Sequence, residues 1–215
     1  MTLDPRTHGP RAADMGDASE SALLLAVTTE HFTLQTARSA TIVESNGRVT
    51  LFLGAVSSST VAIALVGQLS GFGEEFFVFA LTLLPALIFL GGATYARAIQ
   101  NGIEDYKYAR AINHIRNWYV TLHPDARGLL LLSTEETPDG VMQGVRNPKW
   151  QALFTTAGVV ALIMSILIGV AVALASGAAF GLSIYAATAV GLGAGSVGEA
   201  SLFRHHMSRW REATS

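Results

Sequence analysis

Between Trp150 and Gly198 the chain runs 49 residues without one charged side chain. That is the strongest constraint the sequence offers. A helix crosses the hydrocarbon core of a bilayer in about 20 residues, so this stretch is long enough for two crossings. Its natural break is Ser176 to Gly181, SGAAFG, rich in residues that end helices. Two further stretches are long, apolar and uncharged: Val49 to Gly73 and Phe76 to Ala96. The expected spans are 49–70, 75–98, 151–175 and 180–202. The composition agrees: 14% of residues are charged and the mean hydropathy is +0.40, against roughly 25% charged in a soluble domain. The fold class read from this is all-α: an integral membrane protein of four transmembrane helices in two like-oriented hairpins, with cytoplasmic helical extensions.

Some functions drop out at once. A net charge of −2 excludes a nucleic-acid binder that works by bulk charge. The absence of cysteine excludes disulfides, a thiolate nucleophile and Cys-ligated metal sites.

All 14 Lys and Arg lie in three places. Four precede the first span, seven lie between spans two and three, and three follow span four. The two short connections on the other side have none. The positive-inside rule then puts both termini and segment 97–149 in the cytoplasm, which in a bacterial source means a multi-pass inner-membrane protein. The high Ala and Gly usage fits such a source. The first long apolar run begins near residue 49, so no cleaved signal is expected, and 1–17 reads as a disordered leader.

Asp17 and Glu20 have capping-box spacing. They predict a cytoplasmic amphipathic helix over 18–45, broken by Asn46-Gly47 ahead of the first hairpin, 46–98. Span two is expected to continue outside the membrane as a helix until Pro124, with its apolar side against the 18–45 helix. Within 99–149 the rest is a small hairpin or loop, and Asn147 to Trp150 mark re-entry, Trp150 as an interfacial anchor. The second hairpin is 150–202, and 203–215 is a basic tail.

The stretch Ala111 to Ser133 carries Ile112, Asn113, Ile115, Arg116, Tyr119 and Pro124, followed by a Leu-rich run. It resembles a pattern in uncharacterised bacterial multi-span membrane proteins, where that run is a strand. More distantly, the chain is similar to two-span effector modules of nucleotide-sensing antiviral systems, a likeness that implies pore formation. The span count departs from that pattern, and no sensor is fused.

Small residues recur at every fourth position in span three (Ala157, Ala161, Ser165, Gly169, Ala173, Gly177) and again in span four (Ser183, Ala187, Gly191, Gly195). Such stripes let helix backbones approach closely in lipid. They predict packing within one chain or a subunit interface. Gly191, Gly193, Gly195 and Gly198 have neither the strand nor the Lys of a phosphate loop. Span one carries Ser57, Ser58, Ser59 and Thr60 at mid-depth, either as ordinary packing or as a polar pore lining. Pro85 in span two predicts a kink, static or hinge-like.

Chemistry is sparse. No HExxH occurs, and no carboxylate pair lies within a span. The six His are scattered, and the adjacent His205 and His206 diverge by about 100° on a helix. No enzyme, metal site or cofactor is expected. Glu199 extends the span-four stripe by one step toward the cytoplasm, as a salt-bridge partner of an Arg or as a carboxylate ring at an inner mouth. Glu74 and Glu75 would form the outer ring. The function these features predict is a small homo-oligomeric membrane channel, weakly cation-preferring. The alternative is a non-conducting scaffold that recruits a cytoplasmic protein through 97–149. The expected partners are the lipid bilayer and further copies of the chain.

Overall fold

The computed structural model describes residues 12–141 and 154–214, and among them the chain is helical with no strand. Helix α1 spans Ala12–Leu69 and α2 spans Glu74–Leu122. A 3-10 turn (Pro124–Leu129) and one helical turn (Pro138–Val141) follow. Helix α3 spans Thr156–Phe180 and α4 spans Ile184–Thr214. Residues 1–11 and the 147–150 re-entry lie outside the described residues.

Among the described residues, three helices are long and apolar enough to cross a membrane: Ser19–Leu69, Glu74–Leu122 and Thr156–Phe180. Helix α4 falls short of that standard because Gly, Ala and Ser fill it.

Two expectations are corrected. The break at Asn46-Gly47 does not occur, and α1 is one helix of 58 residues. It begins at Ala12, so the capping box does not mark its start and residues 12–17 belong to the helix rather than to a leader. A Gly costs a helix only about 1 kcal/mol, and here the break is bridged on both sides. Arg48 Nε lies 2.9 Å from Glu44 Oε1, and Thr50 Oγ1 donates to the Asn46 carbonyl at 2.9 Å.

Helix α2 ends at Leu122, and Pro124 stops it as the sequence predicts. It passes through Pro85 without interruption. The Leu-rich run after it, Leu130 to Leu132, is unpaired loop rather than a strand.

Helices α1 and α2 pack antiparallel from the tip as far as Thr28 and Tyr119. From one end, Phe76 faces Gly67, Phe52 faces Gly91, Glu44 faces Arg97, Arg38 faces Asp105 and Thr28 faces Tyr119. The tip needs left-handed backbone at Gly71 (φ +59°) and at Phe72 (φ +57°). The Phe72 ring then packs edge-on against Phe76 at 5.2 Å and lies on Gly67, where any side chain would collide with it. Helix α3 packs on α2 beside α1. Phe52, Leu84, Leu87, Val160 and Met164 form the shared core. Gly91 makes that core possible, since a Cβ there would sit 2.6 Å from Met164 Cγ.

Helix α3 starts at an N-cap, Thr155, whose Oγ1 accepts from Gly158 N at 3.1 Å. It ends at Gly181 in the left-handed conformation (φ 60°), with the Gly181 N–H bonded to the Gly177 carbonyl at 3.0 Å. The predicted break is therefore at its last residue, while Ser176 and Gly177 remain helical.

Candidate functional site

The small-residue stripes of α3 and α4 face each other within one chain. A Cβ on Gly169 would lie 2.9 Å from the Gly191 carbonyl oxygen, and one on Gly195 would lie 2.8 Å from that of Ser165. Gly191 in turn leaves no room between the Gly169 carbonyl and Ala173, and Gly177 meets Ala187 one step further on. Backbone meets backbone, as small residues in lipid allow. The stripe does not serve α4 throughout: Ala157 and Ala161 are buried against α2 instead, and Ser183 is exposed in the turn.

Beside this seam runs an open apolar groove of about 760 Å³. Leu162, Ile166, Leu192 and Phe203 line it, together with the hydroxyls of Ser165, Thr188 and Ser196 and the carboxylate of Glu199. The Ser165 hydroxyl lies 2.9 Å from both the Ala161 carbonyl and Glu199 Oε2, so one proton is shared between two acceptors. Glu199 has no ion-pair partner among the described residues. Of the Arg residues expected to neutralise it, Arg97 is taken by Glu44 at 2.8 Å. The carboxylate faces the groove with one neutral donor.

The other sequence-predicted residues lie elsewhere. Glu74 and Glu75 open α2 at the far tip, exposed beside Val78 and Thr82. Carboxylates suit the positive end of a helix, which is a structural reason for them to be there. Ser57, Ser58 and Thr60 are exposed on α1, and Ser59 is half-buried. Thr60 Oγ1 turns back to the Val56 carbonyl at 2.8 Å. The structure thus brings Ser165 to Glu199 and keeps the two acidic positions and the hydroxyl cluster apart.

At the end of the bundle near Glu44, polar and aromatic contacts join α2 to α4 and α2 to α1. Tyr95 OH donates to the Leu202 carbonyl at 2.5 Å. Trp210 Nε1 donates to His206 Nε2 at 2.8 Å, and the Trp210 ring lies against Tyr106. His206 is buried, and burial first, then the neighbouring His205, lowers its pKa from the ordinary 6.5. A pocket of about 180 Å³ lies among these groups, lined by Thr41, Asn101, Asp105, Thr156, His206 and Trp210. Asn101 donates to the Thr41 carbonyl at 3.4 Å, and its Oδ1 has no partner. Further out, Arg38 holds both carboxylate oxygens of Asp105, at 2.7 and 3.3 Å. Arg97 and Arg48 both bond Glu44 and hold its carboxyl below the usual range.

No cluster of His and carboxylates able to hold a metal occurs among the described residues. No protein-family model, curated protein or solved structure matches the chain.

Proposed function

We propose that the chain crosses the membrane four times, with both termini and segment 97–149 on the cytoplasmic side, and that copies assemble into a weakly cation-preferring pore. Glu199 carries the reading. A carboxylate beside an apolar groove, without an Arg or Lys, is costly in a membrane unless a cation visits it. Helix α4 supports the fourth crossing despite its low hydropathy. Its small residues Ala187 and Gly191 are buried, while Ile184, Tyr185, Leu192 and Val197 point outward. A helix with its large apolar residues outside suits lipid as its solvent.

Planar-bilayer recording tests the pore. Unitary currents are expected, with cation preference reduced several-fold in Glu199→Gln and changed less by Glu74→Gln with Glu75→Gln. Folded, oligomeric protein that stays silent across voltage, pH and salt removes the pore.

One observation favours the scaffold as a second reading. Leu129 and Leu131 are 86% and 98% exposed on the loop beyond α2, away from the spans. A soluble partner recovered in stoichiometric amount, and lost in Leu129→Ser with Leu131→Ser, is the expected result if the loop recruits one.

A further inference from the structure

The face of α1 turned away from α2 has one unusual property. From Leu25 to Leu65, a row of positions three or four apart, which includes Leu25, Phe32, Val43, Gly47, Gly54 and Val61, is exposed at every step, and none is charged. The charged residues of this stretch, Glu30, Arg38, Glu44 and Arg48, all lie off that face.

The face is apolar on both sides of the membrane boundary. Val61 and Leu65, 60% and 54% exposed, lie inside the expected span, where lipid accounts for them. Leu25, Phe32 and Val43, 69%, 64% and 71% exposed, lie before it. Leu25 is about 36 Å along the helix axis from Val49, beyond the reach of a bilayer. The threonines between them add to the effect. Thr29, Thr36 and Thr50 each donate to the carbonyl four residues back, at 2.8 to 2.9 Å, so their hydroxyls are satisfied within the helix.

Gly47 and Gly54 lie on the same face, seven residues apart. A Cβ on either would meet nothing within 4 Å. Nothing within the chain accounts for glycine there, yet each costs the helix about 1 kcal/mol relative to Ala. Glycine at both positions permits close approach of another backbone.

We infer that this face is covered by the same face of α1 from a second copy of the chain, the two helices running parallel. The occupant has to be uncharged over about 60 Å, to span water and lipid in one piece, and to approach closely at two points a heptad apart. The α1 of another copy meets all three conditions, because copies inserted alike place equal residues at equal depth. Five large side chains, each leaving roughly 100 Å² exposed, bring two copies near 1,000 Å². The glycine and hydroxyl positions between them carry the contact toward the 1,200–2,000 Å² or so of a standard interface. The inference rests on the homo-oligomer proposed above, and not on conduction.

The native chain has no cysteine, so single-cysteine variants of the full-length protein in phosphatidylcholine vesicles report directly. A disulfide needs Cα atoms within about 7 Å. Oxidation is expected to cross-link Phe32→Cys, Gly47→Cys and Gly54→Cys at least tenfold faster than Glu30→Cys and Leu53→Cys, which are exposed on other faces of α1. Gly54→Leu, checked for native helix content, is expected to shift the mass measured by light scattering toward monomer. A monomeric native protein overturns both the assembly and this interface. An oligomer that cross-links equally well or better at Glu30 and Leu53 overturns the interface alone. Fast cross-linking of the face in a protein that never conducts leaves the interface standing and removes the pore.

Discussion

At the scale of single residues, the second helix pair hangs on the absence of side chains. Gly191 sits between the Gly169 carbonyl and the Ala173 methyl with no space for a Cβ. Gly191→Val therefore forces α3 and α4 apart and loses contacts along the seam. Overpacking of this kind costs about 1–3 kcal/mol, and the seam has little room to give because backbone lies on one side. The expected outcome is an unfolding midpoint lowered by several degrees in detergent. Gly193→Val, at a position with nothing within 4 Å, is the matched control and is expected to change it little. The stripes themselves were legible in the sequence, since small residues at every fourth position declare a close-packed face. What covers that face was not legible, because an intrachain seam and a subunit interface use the same residues. The partner of Glu199 was hidden for a related reason. Any of several Arg residues was within range by position alone, and the register of α1 on α2 gave Arg97 to Glu44.

At the scale of elements, helix existence was readable and helix continuity was not. Periodicity located α2 to its last turn and located the α1 segment that packs on it. It misjudged Asn46-Gly47, where a local propensity of about 1 kcal/mol faces tertiary contacts on either side. The cross-helix pairs Arg38–Asp105 and Arg97–Glu44 depend on that uninterrupted register, so the sequence alone did not predict them. The end of α4 carries a pH dependence. His206 is buried and neutral-favouring, so the docked helix end binds a proton less readily than the released one. Its contribution to docking is complete above about pH 6.5 and is lost as pH falls through the lowered folded value. With Trp118→Phe and Trp150→Phe, Trp210 is the sole tryptophan. Its emission is expected to shift to the red between pH 7 and 5, and His206→Gln is expected to flatten that change.

At the scale of the whole molecule, the two helix pairs pack in opposite ways, large apolar side chains filling the core around α2 and small ones the α3–α4 seam. The seam between α3 and α4 holds glycine, alanine and serine, while leucine, valine and aromatic residues face outward. That packing, together with the absence of Lys and Arg from the two short connections between expected spans, sets the topology to be tested. Phe72→Cys and Leu182→Cys, each placed in the native cysteine-free chain, are expected to react with a membrane-impermeant thiol reagent added to intact cells. Lys107→Cys and Arg211→Cys are expected to react only after permeabilisation. If Phe72→Cys and Leu182→Cys report opposite sides, the four-span arrangement is wrong.

Helix α1 is uninterrupted between Leu25 and Leu65. Rotation therefore cannot be absorbed locally. In the proposed topology, torque applied to the part outside the membrane would reach Val61 with its phase intact, as through a drive shaft. Inserting one residue near position 46 would put the two halves of the outward face about 100° out of phase, although every side chain of the native sequence would still be present.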